Sequence, residues 1–239
     1  MKKKITAAFI FICSALMAFG QGNSIDERIG MAMNNSDWSE LRELYSKDGY
    51  NLQTPYLHTL SKFFISQFYN QPDSAIAQGN VIMDKYQKEL SASIPAIAFF
   101  MAEDYSRLGS NEMAFKIMHN LNEAYRKSGV EPNPNYVNIE DIYRIYSEQL
   151  AFSVTKPRHD TSASLFYRYY SDQQGKNHKN LYIGTQFNGK DMKVIFDTGA
   201  GINMITRDVA ESVGARIIKT KGIQFNGFGI GKSEEIAFV

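Results

Sequence analysis

Leu181-Tyr-Ile-Gly-Thr-Gln-Phe-Asn-Gly-Lys-Asp-Met-Lys-Val-Ile-Phe-Asp-Thr-Gly-Ala200 is the stretch from which the rest of the chain is read. Leu181, Ile183 and Phe187 fall at even spacing, as one face of a strand does, and Asn188-Gly189 is the strongest short-range hairpin signal. Lys193-Val-Ile-Phe196 is a β-branched and aromatic run suited to the returning strand. The hairpin therefore delivers Asp197 to a loop. Apolar residues flank that loop, Val194-Ile195-Phe196 before it and the patch from Ile202 to Ile205 after it. A carboxylate at the end of a buried strand is costly to desolvate unless chemistry uses it. Thr198 adds a short hydroxyl, and Gly199 a residue that bends freely and lets two backbones approach the acid. The competing reading is a structural turn in which Asp197 accepts backbone N–H bonds.

On these residues, positions 181 to 205 resemble the amino-terminal half of a retropepsin-like aspartic protease. The resemblance implies a catalytic Asp197 in a loop supported by Thr198, Gly199 and Ala200, with the Thr198 hydroxyl bracing two such loops together. Hydrolysing an amide with carboxylates needs two of them sharing a proton, because like charges about 3 Å apart cannot both ionise. The chain holds one Asp-Thr-Gly. A homodimer or a second protease lobe is therefore implied as donor of the other acid, with a peptide or protein as substrate.

Downstream, Asn203 to Thr206 reads as a short strand. Arg207 to Gly214 reads as a helix, from the spacing of Val209, Ala210 and Val213, with Thr206 as N-cap and Gly214 as stop. Gly227-Phe-Gly-Ile-Gly231 resembles the glycine-rich hairpin tip that closes over substrate in this family, which makes Gly227, Gly229 and Gly231 flap candidates. Such tips are also common as plain structure. Gly231-Lys232-Ser233 looks like the end of a phosphate-binding loop, but the required earlier glycine is Asn226, and too little chain follows for a nucleotide fold. The family's later segment, an apolar pair followed by glycine, is not found before Val239, so the barrel reads as incomplete and truncated. Three explanations stay open: a fragment of a longer protein, a second lobe beyond residue 239, or an inactive remnant. The strand-like run Ile236-Ala-Phe-Val239 favours the first.

Residues 21 to 152 have a different texture and read as helical. Ala102, Tyr105, Gly109 and Ala114 fall at helix-turn-helix spacing; Phe63, Asn70 and Ala75 repeat the arrangement, and Trp38 to Tyr45 is a degenerate third unit. This region resembles a short tetratricopeptide-like array, a binding surface for peptides or partner proteins, with an irregular bundle as the plainer reading. Phe63, Phe64, Phe68, Tyr69, Phe99 and Phe100 read as core. Pro132 and Pro134 break the pattern, and Ile139 to Phe152 reads as a last helix. Residues 153 to 180 read as a linker containing the strand-like Leu165 to Tyr170.

At the other end, Met1-Lys-Lys-Lys4, the apolar run Ile5 to Phe19 and the small residues of Ala18-Phe-Gly20 read as a signal peptide over residues 1 to 20. A transmembrane anchor is the competing reading, but the apolar run is shorter than the roughly 20 residues of a spanning helix; the expectation is a secreted or periplasmic protein with no membrane span after signal removal. Removing 20 of the 239 residues leaves 219, with no cysteine once Cys13 departs and 23 basic against 25 acidic residues, a net charge of −2. Nothing in this balance suggests nucleic acid. His58, His119, His159 and His178 have no ligand-like spacing, no serine sits in a nucleophile elbow, and neither metal nor cofactor is expected. The expectation is an α+β multidomain chain: a helical-repeat region over 21 to 152, a linker over 153 to 180, and the first part of an acid-protease barrel over 181 to 239.

Overall fold

A computed structural model describes residues 24–149, 162–171, 174–197, 203–220, 225–227 and 231–238. The fold is α+β, and the chain divides into two compact units, Met1–Thr155 and Lys156–Val239.

The first unit is built from helices α1 (Ile25–Asn34), α2 (Trp38–Asp48), α3 (Pro55–Phe68), α4 (Pro72–Lys85), α5 (Ile94–Arg107), α6 (Asn111–Lys127) and α7 (Pro134–Ser147). One local device recurs. The pairs α1–α2, α3–α4 and α5–α6 are joined by three-residue turns whose central residues, Ser36, Asn70 and Gly109, have φ of 55°, 56° and 82°. In each turn the last residue donates its N–H to the carbonyl five positions back: Asp37 to Ala32, Gln71 to Ser66 and Ser110 to Tyr105, all at 2.8 Å. This closure absorbs otherwise unpaired carbonyls at the helix end and needs a left-handed residue at its centre, hence Gly or Asn at two of the three sites. The step between turn centres is 34 residues from Ser36 to Asn70 and 39 from Asn70 to Gly109. Among the described residues α7 starts at Pro134 and runs to Ser147, which corrects the expected start at Ile139. A proline at the first helical position gives up an N–H that has no partner there anyway, so Pro134 starts the helix rather than breaking it.

Packing follows from these pairs. Phe63 and Phe64 are fully buried and Phe100 nearly so, while Trp38 stacks on Phe68 with ring centres 4.0 Å apart. Ala75, Ala102 and Ala114 have no exposed surface. Helices α4 and α5 approach closely at Gly79, where an added Cβ would sit 2.6 Å from the Met101 sulfur. At the start of the unit the Asp26 carboxylate accepts from the N–H groups of Gln53 and Thr54 at 3.0 and 2.9 Å, capping the entry to α3. A polar clamp joins α6 to α7: Glu140 faces His119 Nδ1 at 2.7 Å and accepts from Asn122 Nδ2 at 2.6 Å.

The second unit holds a sheet of β1 (Leu165–Ser171), β2 (Asn177–Phe187) and β3 (Lys190–Ile195), antiparallel in that order. Helix α8 (Arg207–Ser212) follows, then β4 (Arg216–Lys219) paired with β7 (Glu235–Phe238), and β5 (Phe225–Gly227) paired with β6 (Gly231–Ser233). Strand β1 lies where a strand was expected within the linker 153 to 180, and β2 begins inside that stretch, at Asn177. The segment 203–206 is not a strand, contrary to expectation; its last residue, Thr206, is the extended N-cap of α8. Ala210 and Val213 of the α8 region are buried, whereas large side chains of β1 and β3 stay exposed.

Two expected outcomes follow. Asp104 is buried among Arg107, Glu103, Asp73 and Gln67, and burial pushes its carboxyl up to about 7, with Arg107 opposing the shift. The folded state thus holds a proton that the unfolded chain, with the ordinary carboxyl value of 3.8, has released. This contribution is complete below the unfolded value and is lost as pH rises through about 7. Asp104→Asn should stabilise the helical unit at neutral pH by on the order of 2 kcal/mol and flatten that slope, read from the helical circular-dichroism melt at several pH values. Asn188 sits at φ 48° and donates from Nδ2 to the Val213 carbonyl at 2.9 Å. Asn188→Ala should cost about 1–2 kcal/mol in the second unit, while Asn188→Gly, which relieves the backbone but loses the bond, should cost less; hydrogen exchange of β2 and β3 amides would show it.

Candidate functional site

The hairpin that carries Asp197 is set by its turn. Asn188 and Gly189 have φ of 48° and 77°, the two left-handed residues of a turn whose twist matches that of the strands it joins. Register then runs from Phe187↔Lys190 through Gly184↔Lys193 to Tyr182↔Ile195, and Phe196 N–H donates to the Leu181 carbonyl at 2.8 Å. Asp197 comes next, where β3 gives way to a loop. The hairpin tip is anchored on α8: besides the Asn188 bond to Val213, the Lys190 ammonium donates to the Ser212 carbonyl, a cation at a helix C-terminus. Arg207 in turn joins α8 to β7 through Glu235 and pairs with Glu211 on its own helix.

Asp197 is exposed. Its neighbours Ile195 and Phe196 are 55% and 45% exposed, so the expectation of a carboxylate at the end of a buried strand is corrected. The reason lies in the sheet: three strands wide, it has no layer packed over these side chains among the described residues, and alternation leaves Ile195 on an open face. Met204 and Ile205, beyond the loop, are exposed as well. Asp197 therefore stands in a segment whose large apolar side chains remain uncovered. Thr198, Gly199 and Ala200, the loop residues expected to support it, lie outside the described residues.

The flap candidates are partly placed. Strands β5 and β6 pair antiparallel in the register Phe225↔Ser233, Asn226↔Lys232 and Gly227↔Gly231, so Gly227 and Gly231 face each other at the inner end of a hairpin. Gly229 lies outside the described residues.

The histidines have structural partners. The His58 ring nitrogen meets the Tyr45 hydroxyl at 3.2 Å, His119 meets Glu140, and His178 stacks on Tyr170 with ring centres 5.2 Å apart; His159 is outside the described residues. Sequence reasoning missed a feature of β1. Its side chains alternate Leu165, Tyr167, Tyr169 on one face with Phe166, Arg168, Tyr170 on the other, and cations from β2 and β3 lie over the aromatic rings: Lys179 over Tyr167 at 3.6 Å and Lys193 over Phe166 at 5.1 Å. The signal was available in the alternation of Leu165 to Tyr170, once its pairing with Asn177 to Ile183 was known. Among the described residues no helix is long and apolar enough to cross a membrane. No family model, curated protein or solved structure matches the chain.

Proposed function

We propose that the chain is an aspartic endopeptidase of the retropepsin-like kind, acting outside the cytoplasm, in which Asp197 supplies one carboxylate of a paired dyad. The observation that carries this reading is the delivery of Asp197 by a tight hairpin: the acid follows directly on Phe196, whose N–H is bonded to Leu181. The uncovered side chains of Ile195, Phe196, Met204 and Ile205 support the reading too, since the chemistry requires a second acid-bearing surface to come against this one. In such a pair the ionised carboxylate takes a proton from water as the water oxygen attacks the amide carbon. The protonated carboxyl donates to the carbonyl oxygen, and a proton then passes to the amide nitrogen as the C–N bond breaks. The β5–β6 hairpin, with Gly227 and Gly231 paired at its inner end, suits a flap over the bound peptide. The helical unit, with turn centres 34 and 39 residues apart, is close to the tetratricopeptide period and would present substrate or a partner.

A second reading, a helical-repeat binding module whose sheet unit does not cut, draws on the contrast in packing. The helical unit buries a continuous apolar cluster from Ile29 to Met101, while the sheet unit leaves large side chains of β1 and of the Asp197 segment exposed.

Cleavage of an unfolded peptide by the full chain separates the two. Asp197→Asn should lower kcat/KM at least about a hundredfold, and retention of the full rate would remove the proteolytic reading. If a second copy supplies the other acid, specific activity should fall on dilution, and mixing in Asp197→Asn chains should poison wild-type activity beyond simple dilution. Dilution-independent activity would point to an acid within the same chain.

A further inference from the structure

We propose that the outer edge of β1 is a docking site for an extended acidic peptide, which joins the sheet as a fourth strand. The ladder fixes which backbone groups are on offer. Leu181 accepts from Phe196 and so turns its backbone toward β3. Bonded and non-bonded positions alternate in an antiparallel pair, so Tyr167, opposite Leu181, turns its N–H and C=O away from β2. Leu165, Tyr169 and Ser171 share that direction. All seven residues of β1 are exposed, and its pairing with β2 runs from Leu165↔Ile183 to Ser171↔Asn177 without interruption. Exposed edges are ordinarily blunted by bulges, proline or charge. This edge has neither bulge nor proline, and its one charge is Arg168.

Charge selects the occupant. Lys179 from β2 lies over Tyr167 on one face of β1, while Lys193 from β3 lies over Phe166 on the other, the face that also carries Arg168 over Tyr182. Residues 162 to 197 carry five basic side chains against three acidic, and one of the acids, Asp191, is engaged by Gln186 at 2.7 Å. Pairing β1 with β1 of a second copy would gather these like charges on adjoining strands, which is unfavourable. A strand with Asp or Glu at alternate positions turns its acids to one face, where they meet Arg168 and Lys193. Single-stranded nucleic acid also suits cations and aromatic rings, but it offers nothing to a row of outward peptide N–H and C=O groups.

The test titrates a fluorescent peptide of alternating Glu and Val with the full chain carrying Asp197→Asn, so that no probe is consumed. Anisotropy should show binding that weakens with salt and falls at least about tenfold when alternate probe amides are N-methylated. Tyr169→Pro, which removes an outward N–H and leaves the β1–β2 bonds, should weaken binding similarly. Equal affinity for the N-methylated probe or for a Lys/Val peptide, or tighter capture of an oligothymidine strand, overturns the proposal. Because Asp197 is replaced throughout, the outcome is independent of whether the chain is a protease.

Discussion

A backbone closure across one left-handed residue governs the helical unit. When the N–H of Asp37, Gln71 or Ser110 reaches the carbonyl five residues back, the chain reverses within three residues and the next helix must lie against the last. The apolar faces are then committed: Ala75 and Ala114 are placed at close crossings, Phe63 and Phe64 turn inward, and Gly79 allows Met101 to press on the α4 backbone. Larger side chains at those crossings would push the helices apart before the rings could meet. The same closure recurs after α6, where Gly129 has φ 77° and Val130 N–H bonds to Tyr125, and after α8, where Gly214 has φ 71° and Ala215 bonds to Ala210.

The sheet unit is organised by a different left-handed pair. Asn188 and Gly189 set the β2–β3 register, and that register decides both where Asp197 emerges and which residues of β1 turn their backbone groups away from β2. The two surfaces proposed for binding are thus consequences of one turn. They differ in chemistry: the Asp197 segment is apolar around an acid, whereas the β1 edge is aromatic and cationic.

Legibility in the sequence tracked how local each determinant is. Gly109, Asn70 and the Asn188-Gly189 pair announce themselves because a positive φ restricts the residue types that tolerate it. Thr206 and Gly214 bounded α8 for related reasons. Ser36 is the least expressive of the three turn centres, which is why the first hairpin was harder to read than the other two. Pro134 misled because proline both ends and begins helices, and only its position distinguishes the cases. The exposure of Ile195 and Phe196 was not legible at all, since an apolar run looks the same whether or not another layer covers it. Likewise, the cations over the β1 rings come from partners ten or more residues away, Lys179 and Lys193, brought alongside by strand pairing.

The Asp26 carboxylate has a consequence for how the helical unit comes apart. It sits near the start of α1 yet holds the amides of Gln53 and Thr54, at the threshold of α3. Separating the start of α1 from the entry to α3 would break both bonds, so the first helix is held to the third by a paired acceptor as well as by buried surface.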